Sequence, residues 1–378
     1  MLRSSMIRRG IAALRRWRDR LLGNPDFQRR SLHLALTRPI ARRRMRALFD
    51  LCSGFVYSQV LLACTRLGLI EALAESPRSA GDLASMTALP RESLDRLLDA
   101  AESLRLVENR GSEGYGLGPL GAALHGNPAV GMMIEHHEHF YADLADPVAL
   151  LRGETHATQL GRFWPYAENH EPKALESAEI KGYTELMAAS QEMIADQVLT
   201  AYPVHRHRRV LDVGGGSGTF ALAALARAPD LHAEVFDLPA VARRARERLG
   251  QAGCAGRSCA TEGDFRVDPL PEGSDLVTLV RVLHDHDDAG VMTILTAARH
   301  AIEPDGVVLI AEPMLGTRGC EPVTAAYFGF YLMAMGQGRP RTPAAIESLL
   351  HRAGFVDTRI HRTSAPLLVR VMSARVEN

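Results

Sequence analysis

The run "VRVLHDHDD", residues 280–288, sets two histidines and three aspartates directly behind the apolar stretch "SDLVTL". Side chains of these types bind a metal, handle a proton or cap a turn. A metal site draws its ligands from several elements, whereas these acids crowd one turn, so no metal is expected here. Asp287 or Asp288 is placed to cap the helix that follows. That leaves His284 as the group with chemistry to do, because a neutral imidazole accepts a proton near pH 7. Glu312, in "LIAEPM" at the end of the next apolar stretch, is placed to hold its other ring nitrogen and stabilise the imidazolium.

A second group of residues can hold a ligand. In "LDVGGGSGT", Leu211 to Thr219, glycines allow a sharp turn and a close approach of ligand to backbone. Counted from Gly216, the spacing also satisfies a nicotinamide fingerprint, so glycine spacing alone decides little. The acid on the strand decides more. Asp212 followed by Gly214, Gly216 and Gly218 makes a D-x-G-x-G-x-G pattern that resembles the first motif of class I S-adenosylmethionine-dependent methyltransferases. Asp237, in "FDLP", is placed to accept both ribose hydroxyls of an adenosine. Asp264, in "EGDF", is placed for the adenine amine, with Phe265 against the ring face. Each acid alone would more simply be a cap or a loop acid; three in succession make a joint signal. Arg281, beside the candidate base, completes the expected cofactor set.

The elements that must position these residues begin at Arg208. Short apolar strands, "RVLDVG", "AEVFDL", "GRSCA", "DLVTLVRV", "GVVLIAEP", "FVDTRIHR" and "PLLVRVMSA", alternate with helical stretches. That alternation predicts an α/β, Rossmann-like parallel sheet covered on both faces, with every candidate residue at its carboxyl edge. Only "TSA" separates the last two strands, too little for a crossover, so they form an antiparallel edge pair.

Upstream, residues 126–200 read as helix, with a turn near Asp146–Pro147 and a loop around "NHEPKA". The cluster of His136, His137 and His139 lacks the i, i+4 pair that sets two metal ligands on one helical face. Before it, "RSAGDLASMTALPRESLDRLLDAAESLRLVENRGSEGYGLGPLG" has the rhythm of a winged helix, with starts at Ser79 and Pro90 and a turn at "ENRGSEGY". DNA binding is not expected of it. In the would-be recognition helix Arg91 and Arg96 are outnumbered by Glu92, Asp95, Asp99 and Glu102, and a net-negative helix repels phosphate. Packing or dimerisation is the remaining use.

The 378 residues suggest two domains or one with a large appendage, and 46% hydrophobic with 23% charged residues is globular composition. Five scattered cysteines without a CxxC pair suit a reducing, cytoplasmic compartment. No apolar leader is visible, and the longest apolar run, Phe55 to Ala63, is short of a membrane span. The formal net charge of zero hides an asymmetry: residues 1–46 hold 14 Arg against Asp19 and Asp26, a net of +12, and the remainder carries −12. Ile7, Ile11, Leu14, Trp17 and Leu21 recur at helical spacing among those arginines. That pattern fits a helix lying in an anionic membrane interface, or equally one packed on its own protein.

The run "VLHDHDD", with "AEP", "FDLP", "GDF" and the winged-helix outline, resembles the two-domain small-molecule O-methyltransferases from about Leu48 to the C-terminus. The resemblance implies S-adenosylmethionine as cofactor, His284 as base, Glu312 as its partner, and a homodimer built by the N-terminal domain. The chain is expected to divide into a basic amphipathic arm (1–46), a winged-helix-like dimerisation domain (47–125), a helical linker and pocket region (126–200) and a cofactor domain (201–378). Two features depart from that family: His286 stands where a Trp is common, and Pro340 falls where plant members carry a second carboxylate. More narrowly, "FGFYLMAMGQGRPRT", "YADLADPVALLRG" and "HDHDD" resemble the bacterial carotenoid hydroxyl methyltransferases, the demethylspheroidene (hydroxyneurosporene) O-methyltransferases. This implies a tertiary alcohol on a long polyene as acceptor. The apolar helix "AAYFGFYLMAMG", with Phe328, Tyr331, Met333 and Met335, suits such a chain, and suits a plain core as well.

Overall fold

The computed structural model describes residues 2–155, 157–164 and 177–377, with side chains described from residue 9 onward except at 177–185. The chain divides into two compact units, Met1–Gly126 and Asn127–Asn378.

The first unit is helical: α1 (Leu2–Leu22), α2 (Pro25–His33), α3 (Arg38–Arg66), α4 (Leu69–Glu75), α5 (Ala80–Thr87), α6 (Arg91–Ser103), the hairpin β1 (Val107–Asn109) with β2 (Tyr115–Leu117), and α7 (Pro119–His125). The winged-helix outline is present. The Ser79 hydroxyl caps α5 by accepting from the Asp82 amide at 3.1 Å, and α6 begins after Pro90. Leu83, Leu94, Leu98 and Ala101 turn inward, while Arg91 and Arg96 pair with Asp95 and Glu92 on the outer face of α6.

The run Phe55 to Ala63 proves to be part of a single 29-residue helix, α3, which is long and apolar enough to cross a membrane by length and composition. Its C-terminal turns are built into the unit's own core, with Cys64 fully buried and Val60 and Leu61 against it. Earlier on the same helix Leu48, Phe49, Leu51 and Phe55 are exposed. Along α1, Ile11, Leu14 and Trp17 are exposed as well; Ile7 lies outside the described side chains.

The second unit opens with α8 (Pro128–Asp143), α9 (Pro147–Leu151), α10 (Gln159–Phe163) and α11 (Ser177–Ala201). Asp146 caps α9, accepting from the amides of Val148 and Ala149 at 3.1 and 3.0 Å. The segment "NHEPKA" lies outside the described residues. Strands and helices then alternate: β3 (Arg209–Val213), α12 (Thr219–Arg227), β4 (His232–Asp237), α13 (Pro239–Gln251), β5 (Ser258–Glu262), β6 (Ser274–Val280), α14 (Asp288–Ala301) and β7 (Ile302–Glu312). A π-helical stretch, Pro322–Tyr327, runs into α15 (Phe328–Met335), followed by α16 (Pro343–Arg352), β8 (Phe355–His361) and β9 (Arg370–Val376).

The seven strands are ordered β5-β4-β3-β6-β7-β9-β8, the first five parallel. Successive residues face opposite sides. Val210, Leu276 and Leu309 therefore feed one core, and Leu211, Val277 and Val308 the other. The edge pair is antiparallel as predicted, but β9 begins at Arg370 rather than Pro366 and lies between β7 and β8, antiparallel to both. The crossover through α16 sets β8 one strand beyond β7, and the hairpin returns into the gap, where it satisfies backbone groups of both neighbours.

Candidate active site

The turn from β3 into α12 winds through three glycines with positive φ: Gly214 (67°), Gly216 (59°) and Gly218 (77°). A Cβ on Gly214 would stand 2.9 Å from Val282, whereas a Cβ on Gly216 would meet nothing within 4 Å. Gly215, which the motif spacing passes over, is as constrained: its Cβ would fall 2.5 Å from Asp212 Oδ2. Asp212 lies beneath the turn at 1% exposure, accepting from the Thr278 hydroxyl at 2.7 Å, and burial pushes its carboxyl up to about 7.

A cavity opens over this turn. Around it stand Gly214–Ser217, Asp237 and Leu238, Gly263–Arg266, Val280–Val282, Asp285 and His286, with Met187, Ala188 and Gln191 from α11. Six of the ten expected site residues meet there: Gly214, Gly216, Asp237, Asp264, Phe265 and Arg281. Asp212 and Gly218, expected with them, are not among the residues that line the cavity. Gly218 caps α12 and faces Leu249, Ala245 and Val235, so both shape the turn from behind.

Asp237 accepts from the amides of Gly216 (2.8 Å) and Leu238 (2.7 Å), which clamps the carboxylate against the turn. Burial raises its carboxyl to about 6, the two amides pulling the other way. The expectation for Asp264 needs amending: its oxygens are held by Arg266, through the backbone amide at 2.9 Å and Nη2 at 2.9 Å. Phe265 meets His286 edge-on, with ring centroids 5.4 Å apart. Arg281, at φ 60°, donates to Ser190 at 2.8 Å and to the Met187 sulfur at 2.6 Å, tying the end of β6 to α11.

His284 lies behind this wall, its side chain 11% exposed. Nδ1 faces Glu312 Oε2, and the other Glu312 oxygen accepts from the amides of Val282 and Leu283 at 3.1 and 2.8 Å. A carboxylate only accepts, so Nδ1 carries the proton and Nε2 is the basic nitrogen. A second carboxylate, Asp285, stands 3.1 Å from Nε2. Burial by itself lowers the imidazole's pKa, but Glu312 and Asp285 outweigh it and leave the group raised above its usual 6.5. His286 is lowered, with burial as the main cause. Asp287 is the helix cap, accepting from the Gly290 amide at 2.8 Å.

The loop with Pro340 brings a cation rather than a second acid. Arg341, only 5% exposed, donates to the carbonyls of Leu283 (2.8 Å) and His286 (2.7 Å) and to Asp288 (2.9 Å). The Arg339 amide donates to the His284 carbonyl at 2.8 Å, and its side chain pairs with Asp288. A Cβ on Gly338 would collide with that same carbonyl. The turn carrying His284 is thus fastened by Glu312 on one side and by residues 338–341 on the other.

Phe328 of α15 lies 6.4 Å from the His284 ring. Behind it, Tyr331 bonds His136 (2.7 Å) and Trp164 (2.9 Å), and Tyr327 bonds His137 (2.9 Å). Burial, aided by His139 and His137, lowers His136 to about 3, so it stays neutral. Tyr331 and Met335 are core residues here, whereas Phe328 and Met333 are partly buried.

Residues 141–356 match the O-methyltransferase domain, and residues 49–127 match the O-methyltransferase dimerisation domain. The chain belongs to this O-methyltransferase family. It is 40% identical to the demethylspheroidene O-methyltransferase of Cereibacter sphaeroides over 367 residues, covering 97% of this chain and 96% of that protein. It is 39% identical to the enzyme of the same name from Rhodobacter capsulatus, over 90% of this chain and 84% of that one. Human N-acetylserotonin methyltransferase, solved with S-adenosylmethionine, superposes with a TM-score of 0.73 at 28% identity, over 89% of this chain and 98% of its own.

This chain is therefore an S-adenosylmethionine-dependent O-methyltransferase. Its residues fit that cofactor: Asp237 can accept from ribose hydroxyls, and Gly216 leaves open space for a ligand to approach the backbone.

Proposed function

We propose that this enzyme methylates a hydroxyl group at the end of a carotenoid, with His284 as its base. The likeness to two demethylspheroidene O-methyltransferases supports the acceptor. The observation that carries the chemistry is His284 held between Glu312 and Asp285, directly behind the wall that Val282, Asp285 and His286 give the cofactor cavity.

S-adenosylmethionine supplies a methyl group made electrophilic by its sulfonium. Asp237 would take the ribose hydroxyls, Phe265 would lie against the adenine and Asp264 would take the adenine amine, with Gly214, Gly216 and Arg281 shaping the cradle and Asp212 and Gly218 supporting it. Nε2 of His284 removes the acceptor's proton, and the imidazolium that results lies between two carboxylates, Glu312 at Nδ1 and Asp285 at Nε2. A raised pKa makes His284 a stronger base than an ordinary histidine, which suits an aliphatic alcohol. Such an alcohol is still far too weak an acid to ionise beforehand, so proton removal accompanies attack. Alignment of oxygen and methyl, worth roughly 7–11 kcal/mol in well-oriented systems, supplies most of the rate.

In this reading residues 47–125 pair two copies through the exposed Phe49, Leu51 and Phe55, residues 126–200 line the acceptor pocket, and residues 201–378 hold the cofactor. A carotenoid resides in a bilayer, so the enzyme works from the cytoplasm against a membrane surface. The test is incubation with labelled S-adenosylmethionine and a 1-hydroxy carotenoid in detergent, which should yield the methyl ether. Turnover of soluble phenols with indifference to the polyene would instead assign a smaller acceptor.

A further inference from the structure

The N-terminal segment takes no part in the catalytic chemistry. Residues 1–48 precede the part matching the family's dimerisation domain. In the Cereibacter relative the match leaves only eleven of the 378 residues uncovered, so it takes in most of the 46-residue arm. The arm is therefore no stray extension.

At about 100° per residue, Ile11, Leu14, Trp17 and Leu21 of α1 fall within an arc of about 120°. This stripe faces outward: Leu14 is 64% and Trp17 60% exposed. Arg9, Arg15, Arg16 and Arg20 lie on the other side of the circumference, all exposed, while Arg18, which falls between Ile11 and Leu14, is drawn onto Asp19 at 2.6 Å. The pattern continues past α2, where Leu36 is 93% exposed and Ile40 is followed by Arg42, Arg43 and Arg44. An apolar stripe among arginines is wrong for two obvious partners. A second arm of net +12 would repel it. Nucleic acid has no use for Leu14 and Trp17 side by side.

We infer that α1 and the residues following α2 form a docking surface for an anionic phospholipid bilayer, with the Ile11–Leu14–Trp17 stripe seated among the acyl chains and the arginines on the headgroups. Arginines attract an anionic leaflet and apolar side chains add burial, the two contributions of an interfacial helix. The inference rests on the carotenoid reading for its purpose, since it would bring the enzyme to where such an acceptor lies.

The test uses the full chain with vesicles of phosphatidylcholine, with and without phosphatidylglycerol. Partitioning onto the anionic vesicles should exceed that onto the neutral ones, weaken with added salt, and shift the Trp17 emission to the blue. L14E/W17E should abolish it, and R15Q/R16Q/R20Q should weaken it by about fivefold per arginine. Methylation in detergent should be unchanged in both variants, so loss of the carotenoid reading would show there and loss of the docking surface would show with vesicles. Equal binding to neutral vesicles, no binding by the full chain, or conversion of a dimer to a monomer by L14E/W17E would each overturn the inference, the last assigning the stripe to a second copy.

Discussion

The turn carrying His284 and the described side chains of the arm, residues 9–46, are treated in opposite ways. At the turn nearly every polar group is engaged from two directions: Glu312 takes the ring and two amides, and Arg341 takes two carbonyls and Asp288. Along α1 the apolar side chains face outward and the arginines spread around them. Chemistry needs a base held within fractions of an ångström, so its supports are supplied within the unit that carries it. On the reading proposed above, the arm's partners lie outside the chain, and exposed side chains are what that reading requires.

If the turn is preorganised around a base, H284A should lose about 10²–10⁴ in kcat while binding S-adenosylmethionine as before, measured by single-turnover assay and calorimetry. R341Q attacks the support instead of the base. It strands the Leu283 and His286 carbonyls, while Asp288 keeps Arg339, so it should unfold about 2 kcal/mol more easily by denaturant titration. Its kcat should fall about a hundredfold with cofactor affinity nearly unchanged, and R341K should recover part of the rate. The glycine turn should respond to size: G215A would press a methyl onto Asp212 and weaken cofactor binding about tenfold, with little effect on kcat at saturation.

Much of the turn was legible in the sequence because its residues follow strand ends. Strand periodicity and the order of elements place His284, Glu312, Asp237 and the glycine run at one edge, whatever the details. What escaped was set by chain returning from a distance. Arg341 lies more than fifty residues beyond the turn it clamps, in a stretch read only for the acid it lacks at Pro340. Asp285 was overlooked because it sits between two more conspicuous neighbours, yet it supplies the second carboxylate at the ring. Asp212 has the right spacing for a ligand contact, and burial alone decides that it acts from below. The start of β9 was misplaced for a similar reason, since "PLL" is apolar enough for a strand and only the gap beside β7 fixes where pairing begins.

The pH dependence of the single-turnover rate puts the account to its decisive test. His284 must be neutral to take a proton, and its carboxylate neighbours raise its pKa, so the rate should climb through an acid limb above pH 6.5. E312Q removes one of the raising charges, so the limb should move to lower pH while the plateau drops. A limb at or below 6.5, or one that E312Q leaves in place, would mean that the group titrating in catalysis is not this histidine.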